Sequence, residues 1–261
     1  MQRYGLIGKH IQHSKSPAIH QFMANKLGIK IKYELFDIES QEIPTLLKLM
    51  RKRAIHGLNV TIPYKKLVIN YVDRLTPKAK KVGAVNTLYI DGDELVGDNT
   101  DYDGFYGMLQ RNKIQVYQKS VYILGSGGAA KAAYSVLKDL GAFVKVVNRS
   151  TVNIDPSMVP AITYSMIHPE HVDIYIQATP IGGRNYLNQS VLDERLVQNK
   201  TVIDLIYDPP ITPIMSYAKE AYGGLDILIL QALRAEEIWF DLKIEVTPQL
   251  IQEIKDVIMH E

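Results

Sequence analysis

No cysteine occurs anywhere in the 261 residues. That removes disulfides, thiolate metal sites and a cysteine nucleophile at once, and such a chain needs no oxidising compartment. An excess of one charge sign is also missing. The 30 Lys and Arg against 28 Asp and Glu leave a formal net charge of +2, with the signs interspersed, so nothing electrostatic recommends nucleic acid or a membrane surface as a partner. No apolar run approaches the roughly eighteen residues of a membrane span. Residues 1–8 read as a strand carrying Arg3 and Tyr4, not as a charged region leading into an apolar signal core. A soluble, cytoplasmic globular protein is expected. Its 46% hydrophobic and 22% charged residues are ordinary for that class, and its length allows one large domain or two modest ones.

What is present is a rhythm of short apolar strands alternating with helices, which predicts α/β architecture with parallel sheets. Early strands are expected at 3–7, 33–38 and 55–60. Between the first two lies a helix that Ser16 can cap, with Pro17 at its first position and Gly28 at its end. A second helix is expected over 44–53. Segments 85–90 and 94–96 flank Asp91-Gly92-Asp93, a hairpin signal. From Ser120 the pattern is cleaner: strand 121–124, glycines, an Ala-rich helix over 129–140, strand 143–147, then strands at 173–177 and 202–206. Helices follow over 232–242 and after Thr247-Pro248, a cap-plus-proline start. The expected organisation is an α/β domain over 1–100, a Rossmann-type doubly wound domain over 101–235, and C-terminal helices over 236–261 packing back on the first domain.

Gly125-Ser126-Gly127-Gly128-Ala129-Ala130 follows the strand 121–124 and opens a helix. That is a dinucleotide fingerprint in its required context. Small residues let the backbone approach a pyrophosphate, and the helix start offers unpaired N–H groups. The next strand ends at Asn148-Arg149-Ser150 with no acid. A carboxylate there would hold a ribose 2′-hydroxyl and repel a 2′-phosphate, whereas a guanidinium binds the phosphate, so NADP(H) is favoured over NAD.

Before the glycine loop, polar residues crowd the strand ends. Asn59-Val60-Thr61-Ile62-Pro63-Tyr64-Lys65 leaves a strand for an expected helix, Asn86-Thr87 begins another strand, and Asn99-Thr100-Asp101 follows a third. Asn, Thr, Lys and Asp side chains converging on one cleft would suit a polyhydroxylated ligand. These segments resemble the shikimate dehydrogenase family. Ser14-Lys15-Ser16-Pro17 is similar to its substrate-carboxylate segment, 59–65 to its N-V-T-x-P-x-K stretch, and 83–87 to its G-A-x-N-T. Asn99-Thr100-Asp101 with Gly104 is similar to N-T-D-x-x-G. The glycine loop, 148–150, Ala178-Thr179-Pro180-Ile181-Gly182, Tyr207-Asp208-Pro209 and Gly224 through Gln231-Ala232 follow in the family's order, so the likeness spans nearly the whole chain.

The resemblance implies an NADP-dependent oxidoreductase acting on CH–OH, which reversibly reduces 3-dehydroshikimate to shikimate in the chorismate and aromatic amino acid pathway. It implies Lys65 and Asp101 as catalytic residues, with the formal proton donor of the pair left open. Ser14, Ser16, Asn59, Thr61, Asn86, Tyr207 and Gln231 would bind substrate. Gly125, Ser126, Gly127, Gly128, Ala129, Asn148, Arg149, Thr179, Ile206 and Gly224 would bind NADP(H). A small molecule is the only expected ligand besides the cofactor, with no nucleic acid or membrane, and the chain would act as a monomer or homodimer.

Two departures stand out: Gln177 replaces the usual Asn before Ala-Thr-Pro, and 150–153 carries no second basic residue. A quinate/shikimate dehydrogenase with relaxed NAD/NADP use and a non-catalytic nucleotide-binding regulator remain as alternatives. Lys65 and Asp101 together speak against the regulator. No metal is expected, since His10/His13 and His168/His171 lack an H-E-x-x-H frame or a clear third ligand.

Overall fold

A computed structural model describes residues 1–152 and 154–259; Asn153 and the last two residues of the expected 236–261 segment lie outside it. The chain separates into two compact units, Met1–Gly104 with Ile229–Glu261, and Phe105–Leu228.

In the first unit β1 (Gln2–Gly8) leads to α1 (Ser16–Lys26), β2 (Ile31–Asp37), α2 (Ile43–Arg51) and β3 (Gly57–Val60). The segment after Asn59 enters turns and a short 3₁₀ helix at Leu67–Tyr71 instead of the expected α-helix. Then come β4 (Arg74–Leu75), α3 (Pro77–Val82), the hairpin β5 (Thr87–Asp91) and β6 (Glu94–Asp98), and the start of α4 (Thr100–Arg111). The sheet order is β2-β1-β3-β5-β6-β4. β1 runs parallel to β2 and β3, but β5 is antiparallel to both β3 and β6. The hairpin sets the β5–β6 reversal, turning at Gly92 with φ of +59°, which a side chain rarely tolerates. Ile7, Met50, Leu58, Val85, Leu88 and Leu95 fill the core beneath and are fully buried. Such side chains each contribute about 1.5–3 kcal/mol by leaving water.

Ser16 does not cap α1. Lys15 occupies the cap position without a side-chain bond, Ser16 is already helical, and it is the Ser14 hydroxyl that accepts the Ser16 N–H at 3.2 Å. The Ile19 N–H already bonds the Lys15 carbonyl at 3.2 Å, so the first helical turn takes in Ser16.

The second unit contains β7 (Ser120–Leu124), α5 (Gly128–Asp139), β8 (Phe143–Asn148), β9 (Ala161–Thr163) and β10 (Ile174–Gln177). It continues with α6 (Glu194–Val197), β11 (Thr201–Asp204), α7 (Pro213–Tyr217) and β12 (Glu220–Tyr222). All six strands are parallel, in the order β12-β11-β10-β7-β8-β9. This is the doubly wound dinucleotide order. Its connections reverse between β7 and β10, and ligands bind at the carboxyl ends of strands flanking such a switch.

α8 (Leu225–Phe240) and α9 (Pro248–Met259) complete the chain. Thr247 accepts the Leu250 N–H at 3.1 Å as the start of α9, and α9 packs on α1. Trp239 of α8 fills the notch left by Gly57, where any Cβ would overlap the indole nitrogen. That nitrogen donates to the Leu88 carbonyl at 3.2 Å.

Candidate functional site

Lys65 and Asp101 lie 36 residues apart in sequence, yet Lys65 Nζ donates to Asp101 Oδ2 at 2.5 Å. Each side chain is only 15% exposed. Two anchors fix the lysine backbone. Buried Tyr64 donates its hydroxyl to the Ile38 carbonyl at 2.6 Å, and the Val85 N–H reaches the Lys65 carbonyl at 2.8 Å. Asp101 stands in the first turn of α4, where the helix dipole favours an anion. Asn99 caps that helix by accepting the Tyr102 N–H at 3.1 Å, which contributes about 1 kcal/mol.

Asn86 locks the pair from behind. Its Oδ1 accepts the Thr100 N–H at 2.6 Å, and a backbone N–H can only donate, so Nδ2 must face the other way. There Nδ2 reaches Asp101 Oδ1 at 2.9 Å, Thr100 Oγ1 at 3.0 Å and Gln231 Oε1 at 3.3 Å. Asn86 is thus buried and engaged at both ends of its amide. Gln231, from α8, is buried beside it.

Asn59 lies on β3, with Thr61 half-buried just past the strand end. Buried Ser16 sits on the first turn of α1, and half-buried Ser14 precedes it. Beside these expected residues the first unit assembles others that local sequence did not single out. Tyr33 of β2 donates its hydroxyl to Asn59 Oδ1 at 2.7 Å, and His20 and Glu236 lie behind it. Their separation in sequence, 216 residues between His20 and Glu236, left no local signal to read.

The remaining expected residues belong to the second unit. Gly125 follows β7 with φ of +104°, and a Cβ on it would stand 3.0 Å from the Ala178 carbonyl. Gly127 is different: it caps α5 with φ −72° and ψ −176°, which any residue adopts, and a Cβ there meets nothing within 4 Å. Open space therefore lies over the helix start, as a pyrophosphate requires. Ser126 accepts from Asn148 Nδ2 at 2.9 Å, tying the loop to the end of β8. Arg149 follows, exposed, its N–H held by the Asn148 side chain. Gln177 is fully buried and closes the turn after β10, donating to the Ile181 carbonyl at 2.7 Å and accepting both the N–H and the hydroxyl of Thr179. Gly224 donates to the Ile206 carbonyl, and a Cβ on Gly224 would overlap the Leu205 carbonyl oxygen. Tyr207 sits among these residues after β11, and burial pushes its phenol up. The glycine cradle, the helix start and Arg149 fit a dinucleotide bearing a 2′-phosphate. Among the described residues no three His, Asp or Glu side chains are placed to hold a metal ion, and no helix is long and apolar enough to cross a membrane.

The two glycines separate fold from binding. Gly127→Ala is expected to weaken NADPH binding on the order of tenfold, about 1.4 kcal/mol, with an unchanged melting temperature, because its Cβ enters only open space. Gly125→Ala should lower the melting temperature. Fluorescence titration and thermal melts of both variants check this.

Residues 6–88 match the family model of the shikimate dehydrogenase substrate binding domain. Over 94% of both chains, the sequence is 37% identical to the shikimate dehydrogenase (NADP(+)) of Clostridium beijerinckii. The crystal structure of shikimate dehydrogenase 1 from Peptoclostridium difficile superposes with a TM-score of 0.87 at 34% identity, covering 100% of this chain and 98% of that one. The shikimate 5-dehydrogenase of Thermus thermophilus, solved in complex with NADP(H) and shikimate, gives 0.87 at 29% identity, covering 99% and 100%.

Proposed function

The chain belongs to the shikimate dehydrogenase family, and on that basis we propose that it catalyses the reversible, NADPH-dependent reduction of 3-dehydroshikimate to shikimate in aromatic amino acid biosynthesis. The observation that carries this reading is the ion pair of Lys65 and Asp101, 2.5 Å long and mostly shielded from solvent.

When bound, NADPH supplies the hydride for the ketone carbon. Negative charge then grows on the ketone oxygen, and the Lys65 ammonium stabilises it and delivers a proton, with Asp101 holding that ammonium in place. The Ser14 and Ser16 hydroxyls take the substrate carboxylate, with Tyr207 as a further donor. Asn59, Thr61, Asn86, Asp101 and Gln231 orient the ring hydroxyls. The cofactor is assigned to Gly125, Ser126, Gly127, Gly128, Ala129, Asn148, Arg149, Thr179, Ile206 and Gly224, with Arg149 binding the 2′-phosphate. The reading extends to a cytoplasmic enzyme, monomeric or homodimeric, that uses neither nucleic acid nor membrane; its near-balanced charge supports that.

The test follows NADPH absorbance on addition of 3-dehydroshikimate, with NADH and dehydroquinate in parallel. Rapid oxidation with NADPH and 3-dehydroshikimate is expected. Equal use of NADH or dehydroquinate would move the assignment to the broader quinate/shikimate type, and folded, NADPH-binding protein without turnover would overturn catalysis.

A further inference from the structure

Asn59 donates through Nδ2 to the Asn86 carbonyl and to Thr87 Oγ1, both at 3.4 Å. A backbone carbonyl only accepts, so the amide nitrogen must face it and Oδ1 must face away. Oδ1 accepts the Tyr33 hydroxyl and lies 3.1 Å from His20 Nε2. An amide oxygen has no proton to give, so His20 must carry hydrogen on Nε2.

That settles the other side of the ring. His20 Nδ1 lies 2.7 Å from Glu236 Oε1, and the two side chains are 1% and 0% exposed. With no proton between them, a nitrogen lone pair would face a buried carboxylate, at high cost in a medium of low dielectric. One proton is therefore shared. Imidazolium with carboxylate and neutral imidazole with carboxylic acid hold the same number of protons, and each is neutral overall. Glu236 Oε2 is buried without a hydrogen-bond partner, and a bare buried oxygen costs less on a neutral carboxylic acid than on a carboxylate, so the proton lies on the carboxyl side. The ring is clamped: Tyr33 stacks on it at 4.5 Å, and Trp239 lies 5.2 Å away.

We infer that His20 and Glu236 are positioning residues that set which end of the Asn59 amide meets the substrate. Resting on the reading of Asn59 as a substrate ligand, this makes Asn59 a donor: Oδ1 is saturated by two donors, while the N–H end, held only by two bonds of 3.4 Å, is the end that can turn to the oxygen of a ring hydroxyl. If the ring proton moved to Nδ1 alone, the lone pair on Nε2 would favour a flipped amide, presenting an acceptor instead.

Steady-state kinetics of two variants test this. Glu236→Gln keeps an N–H donor for Nδ1, and its KM for 3-dehydroshikimate is expected to stay within about twofold of wild type. Glu236→Met removes the donor at similar volume, and its KM should rise about tenfold, the scale of one hydrogen bond, with kcat and the KM for NADPH little changed. An unchanged KM in Glu236→Met, or a Glu236→Gln enzyme equally impaired, would overturn the inference. Ring-nitrogen NMR of the wild-type protein serves if Glu236→Met does not fold. A protonated Nε2 on His20 near neutral pH is expected and a bare one would overturn the assignment. That measurement needs no turnover, so failure of the proposed reaction would be seen separately.

Discussion

Replacing Lys65 by alanine is expected to lower kcat by about 10²- to 10⁴-fold, the range for losing a general acid, with little change in melting temperature. Stability is spared because the lysine backbone is held by Tyr64 and Val85, not by its ammonium. Asp101 also keeps the Asn86 amide on its second oxygen. Lys65→Arg separates charge from proton delivery. Guanidinium preserves the positive charge but does not give up its proton in this pH range, so it should recover little of the lost rate. Single-turnover kinetics with saturating NADPH make the comparison, and a near-normal kcat in Lys65→Ala would remove the residue from the reaction.

The second large effect concerns stability. Asp204 ends β11, fully buried, with Oδ1 accepting the Ile206 N–H at 2.9 Å and Oδ2 the Thr212 hydroxyl at 2.5 Å. Burial outweighs those two bonds and raises its carboxyl from 3.8 to about 6. The folded state thus binds this proton more tightly than the unfolded chain does. The resulting stability is fully present below pH 3.8 and is lost as pH rises through about 6. At about 1.36 kcal/mol per unit, the change amounts to roughly 3 kcal/mol. Asp204→Asn has no such titration, so its stability relative to wild type should climb by most of that amount, about 2.4 kcal/mol, between about pH 4 and pH 7. Urea melts across this range read the slope, which a fixed loss of one hydrogen bond cannot mimic. Parallel slopes would show that Asp204 does not titrate there. The buried charge holds Ile206, whose carbonyl in turn receives Gly224, and so shapes the segment assigned to the cofactor.

The α/β class was legible because strands and helices are separated by strong local signals: the Gly125 loop, the Asp91-Gly92-Asp93 turn, and Thr247 before Pro248. Where signals are local but competing, the sequence misleads. Ser16 has the chemistry of a cap, yet α1 starts at Ser16 itself, and the polar stretch after Asn59 is spent on turns, not an α-helix. Short elements such as β4, β9 and β12 leave almost no periodicity, because their pairing is decided by neighbours distant in sequence. The polar cluster divides the same way. Lys65, Asn86 and Asp101 sit in distinctive motifs. Glu236, an acid within a largely apolar helix, has no basic residue three or four positions away, and only folding brings it to His20.

The first unit draws its residues from both ends of the chain, while the second is one unbroken stretch, Phe105–Leu228. A ribosome that has made residues 1–104 has not yet delivered Gln231 to Asn86, Glu236 to His20, or the indole of Trp239 to the notch at Gly57. The usual order of vectorial synthesis, with the N-terminal domain finishing first, is therefore inverted. A nascent chain released just after Leu228 would carry a completed second sheet and a first sheet whose side around Tyr4 and Gly57 still lacks Trp239 and Phe240.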